Sequence, residues 1–220
     1  MSLSTLRARL IERLEPAAGW SPDRVPARSD FDLNPGAARP DRTLRPAAVL
    51  IPVIAEPEGA KVLMTRRSDS LASHTGQIAF PGGRLDPGET AVDAALREAF
   101  EEVALDPALV EVLGLGDAYE TGTGFLVTPV VGWLTERPAT TPALDEVAEV
   151  FEVPWDFLMD VANHRQDSYE RDGQPPRWFW AMPWGERYIW GVTAGIIRAL
   201  HTRLYGLEAA PDAAAAEDAA

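Results

Sequence analysis

The chain has 220 residues and a formal net charge of −14, with 20 Lys and Arg against 34 Asp and Glu. That length holds one domain of ordinary size with extensions rather than two full cores, and the charge argues against a chain-wide grip on nucleic acid or anionic lipid, so an anionic ligand needs local cations or a metal to receive it. The absence of cysteine removes disulfides, thiolate zinc sites, iron–sulfur ligation and a Cys nucleophile, while 46% hydrophobic residues with seven Trp supply a sizeable core.

Leu3, Leu6, Leu10 and Leu14 recur every three to four residues and predict a short amphipathic helix over residues 2–14. Charges at Arg7, Arg9, Glu12, Arg13 and Glu15 break up any apolar leader, and no uncharged stretch reaches the ~18 apolar residues of a membrane span, so a cytoplasmic protein is expected. Residues 16–46, rich in Pro, Ala, Asp and Arg, read as an extended arm. Two apolar runs, AAVLIPVIAE and KVLMTRR, flank PEGA as a strand pair. The turn-rich PGGRLDPGET leads into a helix over 90–103, with Thr90 as its N-cap and Asp93 in its first turn.

Further strands are expected over 110–117, 125–134 and 147–153, with TGTG a flexible connection between the first two. A short helix over 154–161, strands at RWFWAMPW and RYIW, and a closing helix over 193–204 complete the pattern. The last residues, 207–220, form an acidic low-complexity tail. The division is therefore an N-terminal helix and arm over 1–44, a principal domain over 45–206 and the tail. Strands with helices interspersed favour a layered α/β domain with a mixed sheet.

The densest chemistry lies in GGRLDPGETAVDAALREAFEEVAL. On a helix Glu98, Glu101 and Glu102, at i, i+3 and i+4, share one face. The opposite face, formed by Ala91, Val92, Ala94, Ala95, Leu96, Ala99, Phe100 and Val103, is small enough in large part to approach a sheet closely. Clustered carboxylates repel one another unless a hard divalent cation sits among them, and an all-oxygen donor set suits Mg²⁺ or Mn²⁺. Such a trio alone describes an ordinary solvated helix. Here Gly83, Glu89, Arg97, Glu98, Glu101, Glu102 and Leu105 also reproduce the spacing G-x5-E-x7-R-E-U-x-E-E-x-G-U, a chance match on the order of one in 10⁵.

That spacing resembles the box of the Nudix hydrolases. The resemblance implies an α/β/α sandwich with a mixed sheet and metal-dependent cleavage of a nucleoside diphosphate joined to a second group. It also implies that Glu98, Glu101 and Glu102 hold the cations, that the Gly83 carbonyl adds a ligand, and that Arg97 and Glu89 form a supporting ion pair. Glu98 is the first choice for catalytic base, and Glu146, in DEVAEVF ahead of Glu149, is the candidate for a late assisting glutamate. Ala104 stands where the box has glycine. A left-handed residue there costs Ala ~1–2 kcal/mol, so the helix is expected to end by another route, helped by Asp106 and Pro107.

Upstream, LMTRRSDSLASHTGQIAFPGG is similar to the extra motif of the coenzyme A pyrophosphatase branch of that family. It matches at Leu63, Thr65, Arg67, Ser68, Gly76, Phe80, Pro81, Gly82 and Gly83, with Met64 for Leu and Ala72 for the second Arg. The resemblance implies hydrolysis of coenzyme A or acyl-CoA to 3′,5′-ADP and 4′-phosphopantetheine or its acyl form. The alternatives are ADP-ribose, a dinucleotide or a modified nucleoside triphosphate as substrate, or a binding module of the same fold without turnover. Arg66, Arg67, His74, Gln77 and Arg84 are the candidate receivers of substrate phosphate. WFWAMPW reads as core or homodimer contact rather than an adenine platform, and no nucleic-acid or membrane partner is expected.

Overall fold

The computed structural model describes residues 1–68, 76–170, 173 and 175–206. In chain order the elements are α1 (Leu3–Arg13), β1 (Arg28–Ser29), β2 (Arg45–Glu56), β3 (Gly59–Arg67), β4 (Ile78–Ala79), β5 (Gly82–Arg84), α2 (Ala91–Val103), β6 (Glu111–Leu115), β7 (Tyr119–Glu120), β8 (Phe125–Leu134), β9 (Val147–Pro154), α3 (Trp155–Met159), β10 (Arg165–Tyr169), β11 (Arg177–Trp184), β12 (Arg187–Trp190) and α4 (Val192–Tyr205). Ala72, His74 and the tail lie outside the described residues.

At the centre β2 runs parallel to β8, in register from Arg45 opposite Phe125 to Ile54 opposite Leu134. Strands buried on both faces read as near-continuous apolar runs, and both of these do. The two-residue period still sorts their side chains. Ala47, Ile51, Val53, Val127, Val131 and Trp133 enter one core, and Ala48, Leu50, Ile54, Val130 and Leu134 enter the other. Antiparallel neighbours widen this pair into a mixed sheet with path β1-β7-β8-β2-β3-β4, to which β5, β6 and β9 add from β2, β8 and β3. A separate antiparallel sheet is ordered β10-β11-β12.

Helix α2 covers one face of the large sheet, while α1, α3, α4 and the small sheet cover the other, giving an α/β/α sandwich. Leu6 and Leu10 bury α1 in the same core as Ile196, Ile197, Leu200 and Leu204 of α4. Residues 16–46 are more than a plain arm, because β1 within them pairs in parallel with β7. The TGTG connection is pinned rather than free. Gly124 donates to Thr121 O at 3.0 Å, Phe125 N–H to Thr121 Oγ1 at 3.0 Å, and Gly122 N–H to the Asp30 carboxylate at 2.6 Å.

The end of α2 departs from expectation. Ala104 adopts the left-handed conformation after all, at φ 55° and ψ 30°, and its N–H bonds back to Phe100 O at 2.9 Å. Burial of the next residue, Leu105, outweighs the local cost. Phe100, expected on the packed face, is instead 56% exposed.

Candidate active site

Helix α2 starts where its sequence says it should. Thr90 Oγ1 accepts from the Asp93 N–H at 3.2 Å, and the Asp93 carboxylate accepts from the Thr90 N–H at 3.0 Å, a reciprocal capping box. Ala91, Ala94, Ala95 and Ala99 are fully buried. Side chains this small bring the helix down onto β2 and β5 and set its glutamates against the β5 backbone.

Two of the three predicted glutamates meet there. Glu102 is buried, accepts from the Gly82 N–H at 3.2 Å and lies 4.0 Å from Arg67 Nη1. Burial, with the neighbouring charge of Glu98 and against the Gly82 hydrogen bond, pushes its carboxyl up to about 7. The Glu98 carboxyl sits over Gly83, in the space a Cβ at that position would fill. Burial also raises Glu98, against the pull of Arg97. Gly82 has φ +156°, and a side chain there would press on the Val49 backbone, with Cα 2.6 Å away. Glycines are thus required for two separate reasons: Gly82 by its backbone and Gly83 by the carboxylate above it.

Glu101 stands apart. It is exposed and bonded to Arg97 at 3.0 Å. Arg97 also grips Glu89 through two bonds of 2.7 and 3.0 Å, reaches Glu98 at 2.9 Å and donates to Arg84 O at 3.0 Å, so it fastens the turn before α2 to the glutamate face. Among the described residues no three acidic or imidazole groups enclose a point as a ready-made metal cage. The donor chemistry nevertheless fits a hard cation. Two shielded carboxylates within each other's field, both pushed towards the neutral acid by burial, gain from a divalent ion what they lose to desolvation.

Glu146 is exposed, and its charge acts on both Glu98 and Glu102. Glu149 is engaged elsewhere, by Arg66 at 3.5 Å and by Arg187. Arg66 therefore sits with β9 rather than on the carboxylate face. Gln77 joins two regions. Its carbonyl accepts from the Arg67 N–H at 3.0 Å, while the residue lines a cavity of about 710 Å³ between β4, the arm, the small sheet and the start of α4.

That cavity was missed by sequence reasoning. Its walls include Tyr169, Trp178, Trp180 and Trp190, so the RWFWAMPW strand serves a pocket as well as the core, into which it sends Met182. Asp30, Gly122, Thr123 and Arg177 also line it, and Arg42 and Arg45 are bonded to the carbonyls of the lining residues Gly122 and Thr123. In the sequence these are ordinary polar residues without a motif.

A family model described as NUDIX domain matches residues 44–179. The chain belongs to the Nudix hydrolase family. It is 43% identical over 171 residues to the Escherichia coli (strain K12) protein named uncharacterized Nudix hydrolase NudL, covering 76% of this chain and 87% of that one. The protein of the same name from Pectobacterium atrosepticum is 42% identical over 168 residues, covering 76% and 86%. Among solved structures, a Caenorhabditis elegans Ap4A hydrolase binary complex is similar with TM-score 0.45 and 19% identity, over 50% of this chain and 80% of that one. The NUDIX domain of Shewanella oneidensis NrtR complexed with ADP ribose is similar with TM-score 0.42 and 22% identity, over 52% and 75%. As a Nudix hydrolase the chain is an enzyme acting on a phosphorus anhydride of a nucleoside diphosphate derivative, and the family uses divalent metal ions. Among the described residues no helix is long and apolar enough to cross a membrane.

Proposed function

We propose that this Nudix hydrolase cleaves the diphosphate of coenzyme A or an acyl-CoA, giving 3′,5′-ADP and 4′-phosphopantetheine or its acyl form. The observation carrying this reading is the segment from Leu63 to Gly83. It resembles the motif of the coenzyme A pyrophosphatase branch, and it runs from β3 to β5 so that Arg67 approaches Glu102 while Gln77 faces the aromatic cavity. Arg67 is proposed to grip a diphosphate oxygen beside the carboxylates, and the cavity's rings are proposed to take up the base.

Glu98, Glu102 and the Gly83 carbonyl would hold Mg²⁺ or Mn²⁺, with Glu101 joining once released from Arg97. When bound, the cation neutralises diphosphate charge and makes water easier to deprotonate. Glu98 is proposed to accept the proton from water. The oxygen of that water bonds to one phosphorus, the bridging P–O bond breaks, and two phosphomonoesters leave. Glu146 supports the proton transfer through its charge, and Arg97 positions Glu98. A cysteine-free enzyme of nucleotide derivatives fits a cytoplasmic setting.

The test is a Mg²⁺- and Mn²⁺-dependent hydrolysis screen over coenzyme A, acetyl-CoA, ADP-ribose, NADH and nucleoside triphosphates, with the products separated. The reading expects coenzyme A or its acyl form to have the highest kcat/KM and 3′,5′-ADP to appear. Preference for ADP-ribose or NADH would favour the second reading, to which Ala72, in place of the motif's second arginine, gives some support.

A further inference from the structure

Most arginines here are matched to acids. On the arm Arg39 pairs with buried Glu120 at 3.4 Å, and Arg97 is held by Glu89, Glu98 and Glu101. Four others gather around residues 121–125 without an ion pair to any carboxylate among the described residues. Arg42 Nη2 donates to Gly122 O at 2.8 Å, and Arg45 Nη2 donates to Thr123 O at 3.2 Å. Arg45 and Arg84 lie over the Phe125 ring, at 4.0 and 5.3 Å from its centre. Arg177, which lies over the Phe31 ring at 5.2 Å from its centre, has Nη2 2.7 Å from where a Gly122 side chain would begin.

Like charges gathered this closely repel. In a chain of net charge −14, acids to neutralise them are plentiful, yet among the described residues no carboxylate comes within ion-pair distance of them, and only Asp30 acts on one of the four, Arg177, through its charge. The bonds they do make go to carbonyls and ring faces, which occupy one Nη2 or one flat side and leave the other edges of each fork for a ligand. Asp30, the nearby acid, accepts from the Tyr119 hydroxyl at 2.9 Å and the Gly122 N–H, and burial raises its carboxyl against those bonds and the charge of Arg177, so its compensation reaches Arg177 and not the other three. The loop itself is fastened at both ends, so the arrangement is built rather than a chance of mobile surface chains.

We propose that Arg42, Arg45, Arg84 and Arg177 form a phosphomonoester subsite at the mouth of the aromatic cavity, separate from the diphosphate site, that receives a phosphate carried on the ribose of the substrate. A dianion with three terminal oxygens offers more charge and more acceptor sites to several guanidinium edges at once than a carboxylate or chloride does. The subsite also adjoins the chemistry, because the Arg84 carbonyl is bonded to Arg97. A nucleotide with its base in the cavity would thus present its ribose phosphate to the loop and its diphosphate to α2. The inference rests on the coenzyme A reading, whose nucleotide carries such a phosphate, and it accounts for recognition without an arginine at position 72.

The test is calorimetric binding of 3′,5′-ADP, 5′-AMP and inorganic phosphate, without metal, to the wild-type protein, Arg42→Gln and Arg45→Gln. The expected result is that the wild type prefers 3′,5′-ADP over 5′-AMP by tenfold or more and that the ratio drops towards one in both variants. Arg42 is exposed, so Arg42→Gln is informative even if Arg45→Gln, which uncovers Phe125, lowers the Tm. Equal wild-type affinities, a ratio unchanged in Arg42→Gln, or inorganic phosphate binding more tightly than 3′,5′-ADP would overturn the subsite. The coenzyme A reading fails separately. No coenzyme A turnover with an intact preference for 3′,5′-ADP refutes that reading and keeps the subsite, whereas coenzyme A turnover with no such preference does the reverse.

Discussion

On one side of the large sheet, α2 lays four alanines on β2 and β5 and brings Glu98 and Glu102 against Gly83 and Gly82, with every one of those side chains and glycines within residues 82–105. On the other side, the aromatic cavity draws its walls from the arm, Gln77 just before β4, the loop at 121–125, the small sheet and the start of α4, segments as much as 163 residues apart, from Ser29 to Val192. Capping, helical spacing and glycine placement mark out the first in the sequence, although β2 must lie beneath it, whereas the second has no such local marks and exists only once the chain has folded. Chemistry shared across a family belongs naturally on the local, self-contained side, and recognition of one substrate belongs on the assembled side, where arm and loop residues can vary without disturbing the carboxylates.

The sharpest way to break this division is to strip the carboxylate side. Glu98→Gln and Glu102→Gln should each lower kcat by ~10²-fold or more at saturating Mg²⁺. Neither should lower the Tm of the metal-free protein, because each removes one of two neighbouring carboxylates, Glu102 buried and Glu98 half-buried, that repel. Near-wild-type rates in both variants would contradict the metal assignment.

The adjacent glycines separate activity from stability on that same side. Gly83→Ala meets only the end of the flexible Glu98 side chain, so ~10-fold or more of kcat should be lost with little change in Tm. Gly82→Ala meets the backbone of β2 and should cost ~2–3 kcal/mol of stability, read by urea titration.

Acid and base should act on the two sides in opposite directions. Burial raises Glu102 from 4.5 to about 7, so without metal its contribution to stability is full below about 4.5 and is lost as pH rises through about 7. Burial lowers His164, near α4, from 6.5 to about 4. Its Nε2 serves Leu158 O at 2.7 Å, and its contribution is full above about 6.5 and is lost as pH falls through about 4. Tm measured across pH 4–8 should flatten on its alkaline limb in Glu102→Gln and on its acid limb in His164→Gln.

The smallest expected effect is at the end of α2. Ala104→Gly relieves the left-handed strain and should add ~1 kcal/mol, or ~2–4 °C in Tm, with kcat unchanged.

Legibility followed the same division. The start of α2 at Thr90 and the meeting of Glu98 with Glu102 could be read from spacing, because each depends on residues within a few helical turns, whereas the Arg97–Glu89 pair came from the resemblance to the Nudix box. Ala104 could not, since burial of Leu105 decided its conformation. Nor could the exposure of Phe100 or the separation of Glu101, which Arg97 draws away. On the assembled side, Asp30, Arg42, Arg45 and Arg177 have no periodicity or motif, and TGTG looked flexible because the acid that fastens it lies 92 residues upstream. The short strands β1, β4, β5 and β7 were invisible for the same reason: two or three residues carry no pattern until a partner strand defines them.

The most direct measurement is a Mn²⁺ titration followed by electron paramagnetic resonance in the wild-type protein, Glu98→Gln and Glu102→Gln, because it reads the carboxylate site without turnover. The account predicts a tightly bound Mn²⁺ in the wild type, displaced by Mg²⁺ and weakened ~10-fold or more in each variant. Mn²⁺ binding of equal strength in all three proteins would contradict the assignment of the α2 face as the cation site.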